Sequence, residues 1–155
     1  MSTAPQPQAA TDAAFRMVRI LHFAMISASV LYVLVGEMIA PDGFIGEARG
    51  GIVRSEEPAA MLANVFLFFG ISLAFAAVIL RQKLTASAQE ALLRSPGNTA
   101  ILGRWRMAHI VAFALAEAVV LFGLVLRILG ATLQQAAVLY AVGIVALLLV
   151  APRRP

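Results

Sequence analysis

Four stretches of the chain, at about 18–39, 59–80, 107–129 and 132–151, are apolar almost from end to end. No Asp, Glu, Lys or Arg falls within 20–36, 58–80 or 132–151, and the third stretch holds only Glu117 and Arg127. A helix rises about 1.5 Å per residue, so roughly 20 residues cross the hydrocarbon core of a bilayer. These runs are continuously apolar rather than alternating, and lipid cannot satisfy the open edge of a sheet. The expected fold is therefore all-α, an integral membrane bundle of four transmembrane helices.

Composition agrees. The chain is 61% hydrophobic and 13% charged, against roughly 25% charged in soluble domains. With no cysteine, it has no disulfide, no thiolate chemistry and no cysteine-based zinc or iron–sulfur site, and no metal site is expected. Hydrolase, kinase and metalloprotease motifs are missing, and the connections are too short for a soluble catalytic domain, so no enzyme is expected. The glycines of 40–58 follow no strand and precede no Gly-Lys-Ser/Thr, so they form no phosphate loop. Asn64-Val65-Phe66 and Asn98-Thr99-Ala100 are not glycosylation sites.

Charge sets the expected orientation. Arg16, Arg19, Arg81, Lys83, Arg94, Arg104, Arg106, Arg153 and Arg154 make nine of the 12 basic residues. All nine lie before the first segment, between the second and third, or after the fourth, regions that share one side if there are four crossings. The basic side of a membrane protein faces the cytoplasm, so both termini are expected there. The net charge of +4 is then a membrane signature, and no nucleic acid is expected. An alanine-rich, cysteine-free chain suggests a bacterial inner membrane as its location.

Residues 1–17 read as a disordered N-terminal tail and 152–155 as a basic C-terminal end. The outer loop, 40–58, carries the turn signals Pro41-Asp42-Gly43, Gly46, Gly50 and Gly51. The cytoplasmic loop, 81–106, contains Ser87-Ala88-Gln89-Glu90, which fits a capping box opening a short amphipathic helix. Ser95-Pro96-Gly97-Asn98 ends that helix, Asn98 or Thr99 caps the third segment, and Trp105 stands at an expected interface. The first apolar run exceeds the roughly 7–15 residues of a signal-peptide core, so cleavage is not expected. The third and fourth segments are joined by little more than Gly130 and Ala131, which makes them antiparallel neighbours. Ala108, Ala112 and Ala116, and Gly70 with Ala74, put small residues at the spacing that lets membrane helices approach closely.

Glu117 is the residue that most needs a function. It stands near the middle of an apolar segment, where a charged side chain costs about 2.5–3.5 kcal/mol on insertion scales. It serves either as a proton or ion site or as a hydrogen bond between helices. Tyr140 on the neighbouring segment lies at matching depth, and Ser27, Ser29 and Ser72 reach a similar level. The stretch Ala116-Glu117-Ala118-Val119-Val120-Leu121-Phe122-Gly123-Leu124-Val125 resembles the carboxylate helix of the ATP-synthase c subunit, the rotary proteolipid. Arg81-Gln82 is similar to that family's Arg-Gln-Pro loop. The resemblance implies an ion-carrying role for Glu117. It covers ten residues and two more in the loop. The chain departs from the pattern in its glycine-poor second segment, in Lys83 where the family has proline, and in its long loop. It is not assigned to the family.

His22 and His109 lie just inside the first and third segments at one level. Two histidines on different helices could ligate a b-type haem; two solvated interfacial imidazoles need no cofactor, and none is expected. Glu37 and Arg127 lie near the outer ends of their helices, where they could pair or snorkel separately to the interface; snorkelling is the expectation, since it needs no specific contact. The leading expectation is a small non-catalytic membrane subunit or interaction protein, in contact with the bilayer and with other membrane subunits or its own copies. Proton or ion handling at Glu117 is the alternative, and haem-based electron transfer is a further one.

Overall fold

The computed structural model describes residues 7–39, 56–95 and 98–154, with side chains from 8 and from 61 onward in the first two stretches. These residues are all-α, with four helices among them: α1 (Pro7–Ile39), α2 (Glu56–Arg94), α3 (Thr99–Ile128) and α4 (Leu133–Leu149). Three are long and apolar enough to cross a membrane; α4 is apolar but has 17 residues. The outer-loop turn signals at 41–51 and the Pro96-Gly97 break lie outside the described residues.

Helix α3 is the hub. It packs on all three others, while among the described residues the backbones of α1 and α2 do not approach each other closely. Its small residues explain why. Ala108, Ala112 and Ala116 are all fully or nearly fully buried, as their spacing predicts. A Cβ on Gly143 of α4 would fall 2.9 Å from the Val120 backbone nitrogen and 3.1 Å from the Ala116 carbonyl oxygen. One on Gly123 would fall 2.6 Å from the Tyr140 ring. Glycine lets the two backbones meet where any side chain would hold them apart.

The turn between these helices is locally encoded. Gly130 sits at φ 96, the left-handed conformation that favours glycine. Its N–H donates to Arg127 O at 3.0 Å and the Ala131 N–H to Leu126 O at 2.9 Å, the Schellman pattern. Thr132 then opens α4 with a capping box to Gln135. Helices α1 and α3 run parallel: Met17 meets Arg106, and Glu37 meets Arg127, at sequence separations of 89 and 90.

Three expectations change at the basic end. Helix α1 begins at Pro7, so most of the expected tail is helical. Proline suits a first helical position, alanines at 9, 10, 13 and 14 favour helix, and Ala14 and Val18 are buried in a cluster with Leu92 and Trp105. Helix α2 continues unbroken through Arg81 to Arg94, where a loop and a separate short helix were expected. Ser87 donates to Leu84 O rather than capping a helix, and burial of Thr85, Ala88 and Leu92 keeps the extension on the bundle. Trp105 of α3 is fully buried, in one cluster with Ala88 and Leu92 of this extension, rather than exposed. Asn98 does cap α3, accepting from Ala100 N at 3.0 Å and Ile101 N at 3.4 Å.

Outward faces carry Phe23, Leu31, Leu34, Phe68, Phe69, Phe75 and Leu148, all more than half exposed. Soluble proteins avoid such continuous apolar surface.

Gly143→Ala should destabilise the bundle by about 1–3 kcal/mol, because its methyl meets backbone that cannot yield. Gly103→Ala, with open space around it, should be neutral or stabilising by up to about 1 kcal/mol. Thermal unfolding in detergent compares the two.

Candidate functional site

The polar groups of the bundle fall into three clusters at different heights, and each follows from the helix faces that carry it.

The middle cluster is Glu117 with Tyr32. Residues 116, 120, 123 and 127 form the α3 stripe that meets α4, so Glu117 points about 100° round the helix from Ala116. It therefore faces α1, not α4. Tyr32 Oη donates to Glu117 Oε1 at 3.1 Å. Both side chains are half-buried, at the edge of the α1–α3 contact. Among the described residues this is the only hydrogen bond given to Glu117. Tyr140, the partner expected from depth alone, is elsewhere: its ring packs on Gly123 and its hydroxyl lies against Gly36. That hydroxyl is buried and takes no hydrogen-bond partner among the described residues. Ser29 is buried but donates to Met25 O at 2.9 Å. Ser72 donates to Phe68 O at 2.8 Å on an exposed face of α2, and Ser27 is exposed. Neither Ser29 nor Ser72 joins Glu117. Nothing in the sequence marked Tyr32 beyond its place a little toward the outer end of α1, a depth only the parallel α1–α3 register makes useful.

At the end of the bundle opposite the basic one, Glu37 and Arg127 take the paired arrangement rather than the snorkelling one. Arg127 Nε donates to Glu37 Oε1 at 2.9 Å and Nη2 to Oε2 at 3.2 Å, a two-point pair, while Nη1 donates to Ala131 O at 2.8 Å. The arginine side chain is 0% exposed and the glutamate 30%. Arg127 cannot reach the interface because it lies on the α4-facing stripe, where the tight turn covers it. Gly36, with no side chain, leaves the space that Tyr140 and Arg127 fill.

The cluster at the basic end closes α4. A helix terminus leaves its last four carbonyls without partners. Here Val150 N–H donates to Ala146 O at 3.0 Å and Ala151 N–H to Leu148 O at 3.3 Å. His22 Nε2 bonds Leu147 O at 2.9 Å. Arg81 Nη1 donates to Leu149 O at 3.4 Å and Nη2 to Ala151 O at 2.8 Å. Thus α1 and α2 each supply a cap to α4, with positive charge at the negative end of the helix dipole. His109 is buried and bonds through Nδ1 to Trp105 O at 3.0 Å. Phe113 packs against both imidazoles, with centroids 5.0 Å from His22 and 6.0 Å from His109. A porphyrin between these histidines would have to displace the fully buried Phe113 and break the His22 cap. The pair as arranged does not fit a haem, and that reading gains no support. Among the described residues no three His, Asp or Glu side chains gather to hold a metal.

Comparisons with known protein families, with curated proteins and with solved structures gave no match.

Glu37→Gln should destabilise the protein by about 3 kcal/mol, the low end for a broken buried pair because Glu37 is partly exposed. Glu37→Gln combined with Arg127→Met should recover much of that loss. A thermal-shift double-mutant cycle in detergent measures it.

Proposed function

We propose that the chain crosses the bilayer four times with both termini in the cytoplasm, and that it serves as a small non-catalytic membrane subunit. Its Glu117–Tyr32 pair is the polar contact it offers a transmembrane helix of a partner. The observation that carries this is the position of the pair: mid-helix, half-exposed, at the edge of α1 and α3, on a surface otherwise given to large apolar side chains. Left facing lipid, a carboxyl and a phenol at that depth are costly. Covered by a helix that supplies a donor, they become an interhelical hydrogen-bond site worth about 1–2 kcal/mol.

The packing of α4 on α3 supports four crossings. The Schellman turn sends α4 straight back along α3, and the 17 residues of α4 reach the lower limit of about 17 for a span. The basic residues gather where α1 begins, α2 ends, α3 begins and the chain follows α4, which supports cytoplasmic termini.

A second reading is proton or ion handling at Glu117. One observation favours it: the carboxyl takes a single hydrogen bond among the described residues and is reachable from the side of the bundle. Against it, Ser29 and Ser72 spend their hydroxyls on their own helices and form no relay to Glu117.

Carbodiimide labelling mapped by mass spectrometry separates the readings. The subunit reading expects Glu117 to react in the lone protein reconstituted in lipid vesicles and to be protected in native membranes. Equal labelling in both settings sinks it. Proton flux by the lone protein, abolished by Glu117→Gln with folding intact, establishes the second reading instead. Since the chain has no cysteine, Ser95→Cys tests orientation directly. A membrane-impermeant maleimide should label it only from the cytoplasmic side; labelling from outside refutes the assigned topology.

A further inference from the structure

Between α2 and α4, in the half of the bundle toward the basic end, lies a surface groove of about 480 Å³. Its walls are Ala74, Phe75 and Val78 of α2 and Ala141, Val145 and Leu149 of α4, with no polar side chain among them. The alanines give it depth. At about 1.5 Å per residue, the stretch from Ala141 to Leu149 makes it about 12 Å long.

The groove ends at positive charge. Arg81 follows Val78 by one helical turn and bonds the carbonyls of Leu149 and Ala151. Arg153 comes two residues after Ala151, is exposed, and lies near enough to Arg81 for the two guanidinium groups to repel. Neither meets a carboxylate among the described residues, whose ion pairs are Arg127–Glu37 and Arg154–Asp12. Two like charges held together at the mouth of an apolar groove are complementary to a molecule with an apolar chain and an anionic head.

We propose that this groove binds one anionic phospholipid, with an acyl chain along α2 and α4 and its phosphate at the exposed Arg153, in the field of the buried Arg81 that caps α4. The proposal rests on the membrane reading above. It adds a lipid preference that a merely apolar surface does not have. Zwitterionic lipids bring the same chains but a head with its own cation, which the arginine pair disfavours. A transmembrane helix of a partner would fill the apolar part and leave the charge of Arg153 without an anion.

The test uses the full chain, delipidated in detergent and titrated with phosphatidylglycerol or with phosphatidylcholine of identical chains. Retention is read by native mass spectrometry. Phosphatidylglycerol should be retained at several-fold lower concentration. Arg153→Gln should reduce that preference about fivefold, the factor that corresponds to about 1 kcal/mol for one interfacial cation. Thermal stability should stay unchanged, because Arg153 caps nothing. Ala141→Phe, at an exposed groove wall, should weaken retention of both lipids. Equal retention of the two lipids overturns the proposal, as does a preference untouched by Arg153→Gln or retention untouched by Ala141→Phe. Displacement by glycerol phosphate alone would show a headgroup site without a chain site and also overturns it. Resistance to carbonate extraction from membranes tests the membrane reading separately.

Discussion

Gly143 brings the backbone of α4 onto the backbone of α3 beside Ala116 and Val120, and Gly123 does the same for the ring of Tyr140. The rest of the structure is arranged around that contact. In a bilayer there is little hydrophobic force between helices, so close packing of small residues has to hold them together. Once the stripe at 116, 120, 123 and 127 is committed to α4, the remaining faces of α3 are left for α1 and α2. This places α3 at the centre and keeps α1 and α2 apart.

The same commitment distributes the polar groups. Arg127 is carried under the α3–α4 turn, where it needs an anion, and the parallel register of α1 delivers Glu37 to it. Buried charge is tolerated when its hydrogen bonds are met, and here one guanidinium answers a carboxylate and a turn carbonyl together. At the other end, α4 stops after 17 residues, short of the helices around it. Its exposed carbonyls are met from outside by His22 and Arg81. His22, which invites a haem reading in isolation, is spent on the terminus of a neighbouring helix, as is Arg81.

Glu117 differs from these in what surrounds it. The Arg127 side chain is wholly enclosed, whereas Glu117 and Tyr32 are half-exposed at the rim of the bundle. A polar pair sealed inside is explained by the fold that seals it. A polar pair at the rim of the bundle has no such enclosure to explain it.

Much of the fold was legible in the chain. Uncharged apolar runs forced helices because backbone groups in lipid must pair within their own segment. The small-residue spacing of α3, the Gly130 turn and the Asn98 cap are local features, and each formed as its residues dictate. The extension of α2 past Arg81 was hidden, because a polar, alanine-rich stretch is helical only when Thr85, Ala88 and Leu92 find something to pack on. The candidate site was half legible. Depth can be counted along a helix, and it singled out Glu117 correctly as a mid-helix carboxyl. Direction around the helix axis cannot be counted from one segment; it depends on which neighbour takes which face. Depth alone therefore paired Glu117 with Tyr140, and left open whether Arg127 meets Glu37 or snorkels and whether His22 and His109 hold a haem. Only the tertiary structure decided that Tyr32, Glu37 and the Leu147 carbonyl are their partners, because hydrogen bonds require side chains to converge in angle as well as in height.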